Sequence, residues 1–545
     1  MHGRVKVRTT EEQEKIKQLE RQKKLSEFKR GMQLVVQKRK NQEWNDELLL
    51  VTEKILVRNP DIYTLWNVRR EIFFYNNWTN EEHLQKFEQE LTLTELCLRE
   101  NPKSYCIWHH RTWVNEQISD PNWRKELELC NKCLNLDERN FHCWDYRRFI
   151  VNKAKISDLE ELEFTTTKIL NNFSNYSSWY YRSKLLQKLY PSNVHDLPIK
   201  SEKHDEELDL VMNATFTDPN DSSAWFYHRW LLDFTKPQYT LWQAVLTKNK
   251  IIAVSHKQVS SNLYLYLNNE KINCKWKSAT GRNYSFVWTA RFKKTLADNS
   301  NQAFLKLDET IYNMKKSNSE DTWIYKSQMI GTNYNISKLK EQLENYRQLS
   351  IMEPKNKWSK LTSYYLMLRI DPIEYHADII KILENLMELD PLRINYYKDI
   401  RSKCILDYSL HFAIDENIDI NYSIDLSTSE ITTLSSHVQY LTFYRDVNLA
   451  NNYLGSKLYQ LYTLQECETL DLSNNTITSL RAFPTLNCLK ILLLTGNQIT
   501  NSEEVIGVIE RHNLSKLDLR SNPIPELASL VNKIKDNYPD IKVVV

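Results

Sequence analysis

The sequence predicts a multidomain, mainly α protein: an α-helical hairpin solenoid with an inserted β-sandwich and a C-terminal leucine-rich repeat domain. Three observations across 545 residues carry this reading. Trp66, Trp108, Trp144, Trp179 and Trp225 recur at spacings of 42, 36, 35 and 46. Near Pro237 that beat stops and short apolar runs take over. In the last part a different motif, Leu-x-Leu-x-x-Asn, recurs every 22 to 25 residues. The expected domains are 1–237, the helical repeats; 238–337, the β insert; 338–410, the helical repeats resumed; and 411–545, the leucine-rich repeats.

Residues 1–40 read as a charged helical arm. Its basic residues, among them Lys15, Lys17, Arg21, Lys24 and Arg30, are interleaved with Glu11, Glu12, Glu14, Glu20 and Glu27. Opposite charges at helical spacing make a solvated helix, not an arm for nucleic acid.

Five repeat units follow, from about 44 to 235. Seven residues before each tryptophan stands Asn59, Asn101, Asp137, Asn172 or Asp218. Three residues after the first four stand Arg69, Arg111, Arg147 and Arg182; in the fifth unit that place is His228 and the arginine slips to Arg229. A repeat of this length is a pair of helices too small to bury its own apolar face, so the units must stack. Leu48, Leu49, Thr52, Ile55 and Leu56 show the spacing of a first helix. Asn59-Pro60, Asn101-Pro102 and Asp218-Pro219 mark the turn, where the Asx side chain can satisfy free backbone groups. The tryptophan enters on the second helix as core. The arginine lies one turn on and should point its head at carboxylates or carbonyls.

The insert shows strand-length runs at Ile251–Val254, Leu263–Leu267, Phe286–Phe292 and Ala303–Leu307, which suit a small β-sandwich. Helical spacing resumes at Leu339, and Asp390 with Tyr397 restores the seven-residue interval; the unit near Trp358 is degenerate. The last motif reads Val447-x-Leu449-x-x-Asn452, then Leu470, Leu492 and Leu517 in the same frame, with Ile424-x-Leu426 as a weaker first copy. A short strand followed by an asparagine that bonds the turn backbone is the leucine-rich repeat.

Composition removes several chemistries. Of seven glycines, none lies between Gly31 and Gly281, so the repeats hold no Gly-rich phosphate loop. Net charge is +3, and no apolar run reaches membrane-spanning length. Met1-His2-Gly3-Arg4 lacks the apolar core of a signal peptide. Nine scattered cysteines suit a reducing cytosol, so a cytoplasmic location is expected. Cys130 and Cys133 form a lone C-x-x-C, expected as two buried thiols in a helix and not as a zinc or redox pair.

The unit Asn101-Pro102-Lys103-Ser104-Tyr105-Cys106-Ile107-Trp108-His109-His110-Arg111 closely resembles the repeat of protein prenyltransferase α subunits. A tetratricopeptide array keeps a stricter period and small residues for close helix contact. The terminal leucine-rich repeats separate this chain from the α subunit shared by farnesyltransferase and type I geranylgeranyltransferase. They make it similar to the type II branch, the Rab geranylgeranyltransferases. Met1 to Val7 and Trp66 to Glu71 are similar to that branch as well.

The resemblance implies a chemistry. With a zinc-bearing β subunit, such an α subunit transfers geranylgeranyl from geranylgeranyl diphosphate to C-terminal cysteines of Rab GTPases presented by Rab escort protein. Zinc in β lowers the thiol pKa of the attacking cysteine. Lys103 matches the family lysine that reaches the diphosphate from the α side, where negative charge grows as the allylic bond breaks. Tyr105 and His142 match positions near the same interface. His2, on the N-terminal arm, is a candidate zinc ligand in trans. The reading from another class is a scaffold of helical and leucine-rich repeats with no prenyl chemistry.

Overall fold

The computed structural model describes residues 11–193, 197–232, 240–292, 302–317, 322–327, 336–413, 422–434 and 437–545. The chain forms two compact units, Met1–Leu189 and Tyr190–Val545.

The first unit is a stack of helices. The arm is α1 (Glu11–Asn41). The hairpins are α2 (Asp46–Arg58) with α3 (Tyr63–Tyr75), α4 (Asn80–Glu100) with α5 (Tyr105–Gln117), α6 (Trp123–Leu136) with α7 (Phe141–Ala154), and α8 (Asp158–Asn171) with α9 (Tyr176–Leu189). First helices carry conventional N-caps. Asn45 accepts from the Leu48 N–H, Ser157 from the Leu159 N–H, and Thr79 forms a capping box with Glu82.

Every hairpin turn repeats one set of bonds. Asn59, Asn101, Asp137 and Asn172 each accept, through Oδ1, the backbone N–H two residues on, at 3.3, 3.3, 3.0 and 3.0 Å. Asn59 (φ −144°, ψ 88°) precedes a proline and Asp137 (φ −142°, ψ 94°) does not, yet their backbones agree. The Asx bond, not the proline, is what all the turns share. Each tryptophan then donates its indole N–H to the carbonyl six residues back: Trp66 to Pro60, Trp108 to Pro102, Trp144 to Glu138 and Trp179 to Phe173, at 2.8 to 2.9 Å. All four rings are buried, so the tryptophans are core with a satisfied polar handle.

The arginines behave as their spacing predicts. Arg69 is buried against Glu90 (Nε–Oε2 2.9 Å), Arg111 against Glu126 (Nε–Oε2 2.7 Å) and Arg147 against Glu161 (Nε–Oε2 2.8 Å). Each glutamate comes from the first helix of the next hairpin, so each pair fastens one hairpin to its successor. Arg111 also donates to the Leu91 carbonyl (2.8 Å) and the Thr94 hydroxyl (2.7 Å) on the first helix of its own hairpin. Buried charge is tolerated here because it is fully paired.

The second unit continues with α10 (Ser201–Thr217) and α11 (Ser222–Leu232). Trp225 again donates to the carbonyl six residues back, Pro219 (3.0 Å), but the arginine position is the fully buried His228. After the insert come α12 (Ile336–Met352), α13 (Lys357–Ile370), α14 (His376–Leu389) and α15 (Ile394–Ala413). The stack closes across the insert: Trp225 packs on Tyr346 at 5.2 Å, and Asn356 donates to the Pro219 carbonyl at 2.6 Å. In α15, Tyr397 takes the tryptophan's buried place and donates to Asp390 at 3.1 Å.

Among the described residues, the insert holds nine strands: β1 (Leu241–Leu246), β2 (Lys250–Ser260), β3 (Leu263–Leu267), β4 (Glu270–Ile272), β5 (Lys277–Ser278), β6 (Tyr284–Arg291), β7 (Ala303–Leu307), β8 (Thr310–Lys316) and β9 (Trp323–Lys326). Pairing is antiparallel throughout, in the order β4-β3-β7-β8-β9-β1-β2-β6-β5. Leu241, Ala244 and Leu246 of β1 share one core with Leu265 of β3 and Leu305 of β7, so the two halves of the order face each other.

The last part is a parallel sheet of short strands, β10 (Ser423–Asp425), β11 (Asp446–Asn448), β12 (Thr469–Asp471), β13 (Ile491–Leu493), β14 (Lys516–Asp518) and β15 (Lys542–Val544). Ile424, Val447, Leu470, Leu492, Leu517 and Val543 stand in register. Helices α16 (Ser502–Arg511) and α17 (Leu527–Asn537) fill connections in the last two turns. The asparagines do more than their spacing predicts. Asn497 donates to its own coil at Leu494 (2.9 Å) and to the previous coil at Leu472 (2.9 Å), and accepts from the Ile477 N–H (3.0 Å). Asn452 and Asn475 likewise join adjacent coils. Leu406 and Leu410 of α15 lie in the core of these coils, so the last helix of the stack also caps the sheet.

Candidate functional site

Lys103 and Tyr105 belong to the turn that opens α5. Asn101 takes the Lys103 N–H, Ser104 is the N-cap residue, and Tyr105 is the first helical residue. His142 is the second residue of α7, with its N–H on Asn140 Oδ1 at 3.1 Å. The two turns are tied by Asn140, which donates to the Pro102 carbonyl at 2.9 Å.

Stacking of the hairpins therefore brings the three side chains together. The Tyr105 and His142 rings meet edge to face, with centroids 4.2 Å apart and planes at 89°. Tyr105 is 68% exposed and His142 only 7%, so the imidazole supports the phenol from beneath. Lys103 Nζ lies 3.1 Å from Asp137 Oδ2 while its side chain stays 65% exposed. Burial pushes the His142 imidazole below its ordinary pKa; the Lys103 charge adds to this and Asp145 opposes it. The ring is neutral at neutral pH. An anionic ligand arriving from solvent would meet one ammonium and one phenol, both held from behind.

Two contributors were not evident from sequence alone. Asp137 uses Oδ1 for its own turn and Oδ2 for Lys103 of the preceding repeat. Exposed Tyr63, Phe141 and Tyr176 occupy the same repeat position as Tyr105, three residues before the tryptophan. Superposing the repeats on their tryptophans would have found this aromatic column. His2 lies outside the described residues. Cys130 and Cys133 both lie in α6; Cys130 is buried and Cys133 partly so. Cys130 accepts from the Cys143 thiol through its carbonyl at 3.6 Å.

A family model, the protein prenyltransferase alpha subunit repeat, matches residues 44–76, 87–118, 123–154, 158–189 and 204–235. These repeats define a chain of the prenyltransferase α-subunit class. The geranylgeranyl transferase type-2 subunit alpha of Homo sapiens is 35% identical over 583 aligned residues, covering 100% of both chains. That of Rattus norvegicus is 35% identical over 573, also covering 100% of both. A solved structure titled "Candida albicans protein geranylgeranyltransferase-I complexed with GGPP" aligns with TM-score 0.41 and 17% identity, over 69% of this chain and 89% of that one. This chain belongs to the family of geranylgeranyl transferase type-2 alpha subunits.

Proposed function

We propose that this chain is the non-zinc subunit of a heterodimer that moves geranylgeranyl from its diphosphate to C-terminal cysteines of Rab GTPases, presented by Rab escort protein. Its domains in this reading are helical repeats (1–237 and 338–410), a β-sandwich (238–337) and leucine-rich repeats (411–545). The observation that supports a role in chemistry is the convergence of Lys103, Tyr105 and His142 on one exposed edge.

In the transfer, the cysteine thiolate forms a C–S bond at the allylic carbon as the C–O bond breaks. The electron pair leaves on the diphosphate. Lys103 offers its ammonium to that growing charge and Tyr105 its O–H, while His142 fixes the phenol's direction. Zinc is carried by the β subunit in this reading. Among the described residues of this chain, no group of three or more His, Cys, Asp or Glu is arranged to hold a metal ion. His2 is proposed to visit that zinc when no substrate thiol occupies it. A His2→Ala heterodimer with unchanged cobalt-substituted absorption would remove that role.

The test is co-expression with a candidate β subunit. Prenylation of a Rab only in the presence of escort protein, lowered in Lys103→Ala at constant zinc content, is the expected result. An undiminished rate for that variant overturns the assignment of Lys103. Failure to recover a zinc-containing partner that binds geranylgeranyl diphosphate would favour the scaffold.

A further inference from the structure

The β insert carries a marked basic excess. Residues 238–337 contain fourteen Lys and Arg against six Asp and Glu, whereas the whole chain is only +3. Outside the insert the chain sums to a net acidic balance, although residues 1–40 are basic as well, with thirteen Lys and Arg against five Asp and Glu.

Its two outer faces are treated differently. The outer face of β1, β2 and β6 carries Trp242, Val245, Ile252, Val254 and Val287, which pack with Phe443 of the parallel coils. His256 accepts or donates at 2.7 Å to the Tyr440 hydroxyl there, and Lys250 pairs with Glu466. That face is occupied. Among the described residues, the outer face of β4, β3, β7 and β8 is not. Along these strands Leu263, Leu265, Leu305, Leu307, Tyr312 and Met314 point inward and are buried. The alternate positions point out, and adjacent strands put them side by side: Lys271 beside Tyr266, Tyr266 beside Phe304, Tyr264 beside Lys306, and Lys306 beside Ile311. Lys315 extends the row on β8.

The chemistry of this face selects among anionic partners. Tyr266 and Phe304 stack on each other at 4.7 Å and 9°, and the Lys271 ammonium covers the Tyr264 ring at 3.8 Å. These ring faces are already engaged, which disfavours the base stacking that single-stranded nucleic acid requires. What remains is a surface of lysine ammonium groups around phenol edges and one aliphatic side chain, Ile311, which is 55% exposed. Phenols and lysines with an aliphatic centre suit the boundary between headgroups and acyl chains. Lys306 has a weak partner in Glu309 at 3.5 Å, and Glu309 is itself almost wholly exposed.

We propose that the outer face of β4-β3-β7-β8 docks on a membrane surface bearing anionic phospholipid headgroups. Attraction comes from the local lysine excess, at short range and with salt sensitivity. Ile311 and the tyrosine rings enter only the headgroup layer.

The test is flotation of the full-length chain, purified with its β subunit, on vesicles of phosphatidylcholine alone or containing phosphatidylserine. The expected result is binding only when phosphatidylserine is present, and loss of binding as salt rises from about 0.1 M to about 0.5 M. Lys271→Glu/Lys306→Glu/Lys315→Glu should weaken it by about tenfold or more, with an unchanged thermal melt. A matched reversal in the arm, Lys17→Glu/Lys24→Glu/Lys29→Glu, should leave it largely intact. Binding that ignores phosphatidylserine, no binding, or loss in the arm variant alone would each overturn the proposal. So would tight binding of a single-stranded RNA by protein that refuses the vesicles. None of these readouts depends on prenyl transfer.

Discussion

Asp137 holds two repeats at once: Oδ1 caps its own turn at the Arg139 N–H, and Oδ2 lies 3.1 Å from the Lys103 ammonium of the repeat before. The lysine's direction is thus set by the neighbouring hairpin.

Separating those two jobs gives the sharpest test of the site. Asp137→Asn keeps the turn bond and removes the charge behind Lys103. Lys103→Ala removes the cation itself. In the heterodimer we expect Lys103→Ala to lower kcat by about 10². Asp137→Asn should lower it less, by about threefold to tenfold. Steady-state rates with unchanged melting temperature check both.

Arg111 and Glu126 test the fastening between hairpins. Arg111→Ala strands a buried carboxylate and should cost about 3–5 kcal/mol. Arg111→Met/Glu126→Leu should recover part of that loss. Denaturant unfolding of the single and double variants reads the difference, and equal loss in both would reject the pairing argument.

His228 makes stability depend on pH. Burial pushes its imidazole down to about 3. A lowered histidine favours folding while neutral, so its contribution is complete above the unfolded value of about 6.5 and declines as pH falls toward 3. The slope for one proton is about 1.4 kcal/mol per pH unit. Thermal melts between pH 7 and pH 5 should show this decline, and His228→Phe should flatten it. An identical slope in that variant would place the proton elsewhere.

Glu90 sets a second, more acidic window. It is held near pKa 2 despite burial, chiefly by the Arg69 guanidinium and then by the bond to His110. A depressed carboxylate stabilises the fold above about 4.5 and loses that contribution as pH falls through 2. Glu90→Gln should therefore be less stable than the parent at pH 7, with the gap narrowing on acidification.

Asn475 is fully buried and serves two coils. Asn475→Ala takes the acceptor from the Leu454 N–H and one donor each from the Leu449 and Ser473 carbonyls, and should cost about 1–3 kcal/mol. Hydrogen exchange should speed up in β11 and β12 before the helical stack is affected.

The helical beat was legible because burial and the indole bond both recur at Trp66, Trp108, Trp144 and Trp179. Arg111 announced its carboxylate by type but not by number, since Glu126 lies on another hairpin. Lys103 stood out as a candidate only through its repeat's likeness to a family; its pairing with Asp137 depends on how hairpins stack. Strand β8 was missed because Asn313, Lys315 and Lys316 interrupt its apolar pattern. Strand β15 was missed because Lys542–Val544 has no asparagine after it.

The closure of the helical stack across the insert has a consequence for synthesis. Trp225 needs Tyr346 as its cover, and α12 leaves the ribosome about 100 residues after α11. At roughly 5–20 residues per second, the nascent chain carries that face uncovered for about 5–20 s. The whole β insert is translated during this interval. Chaperone dependence during translation should therefore concentrate at α11, and a ribosome stalled within the insert should present the Trp225 face to holdases.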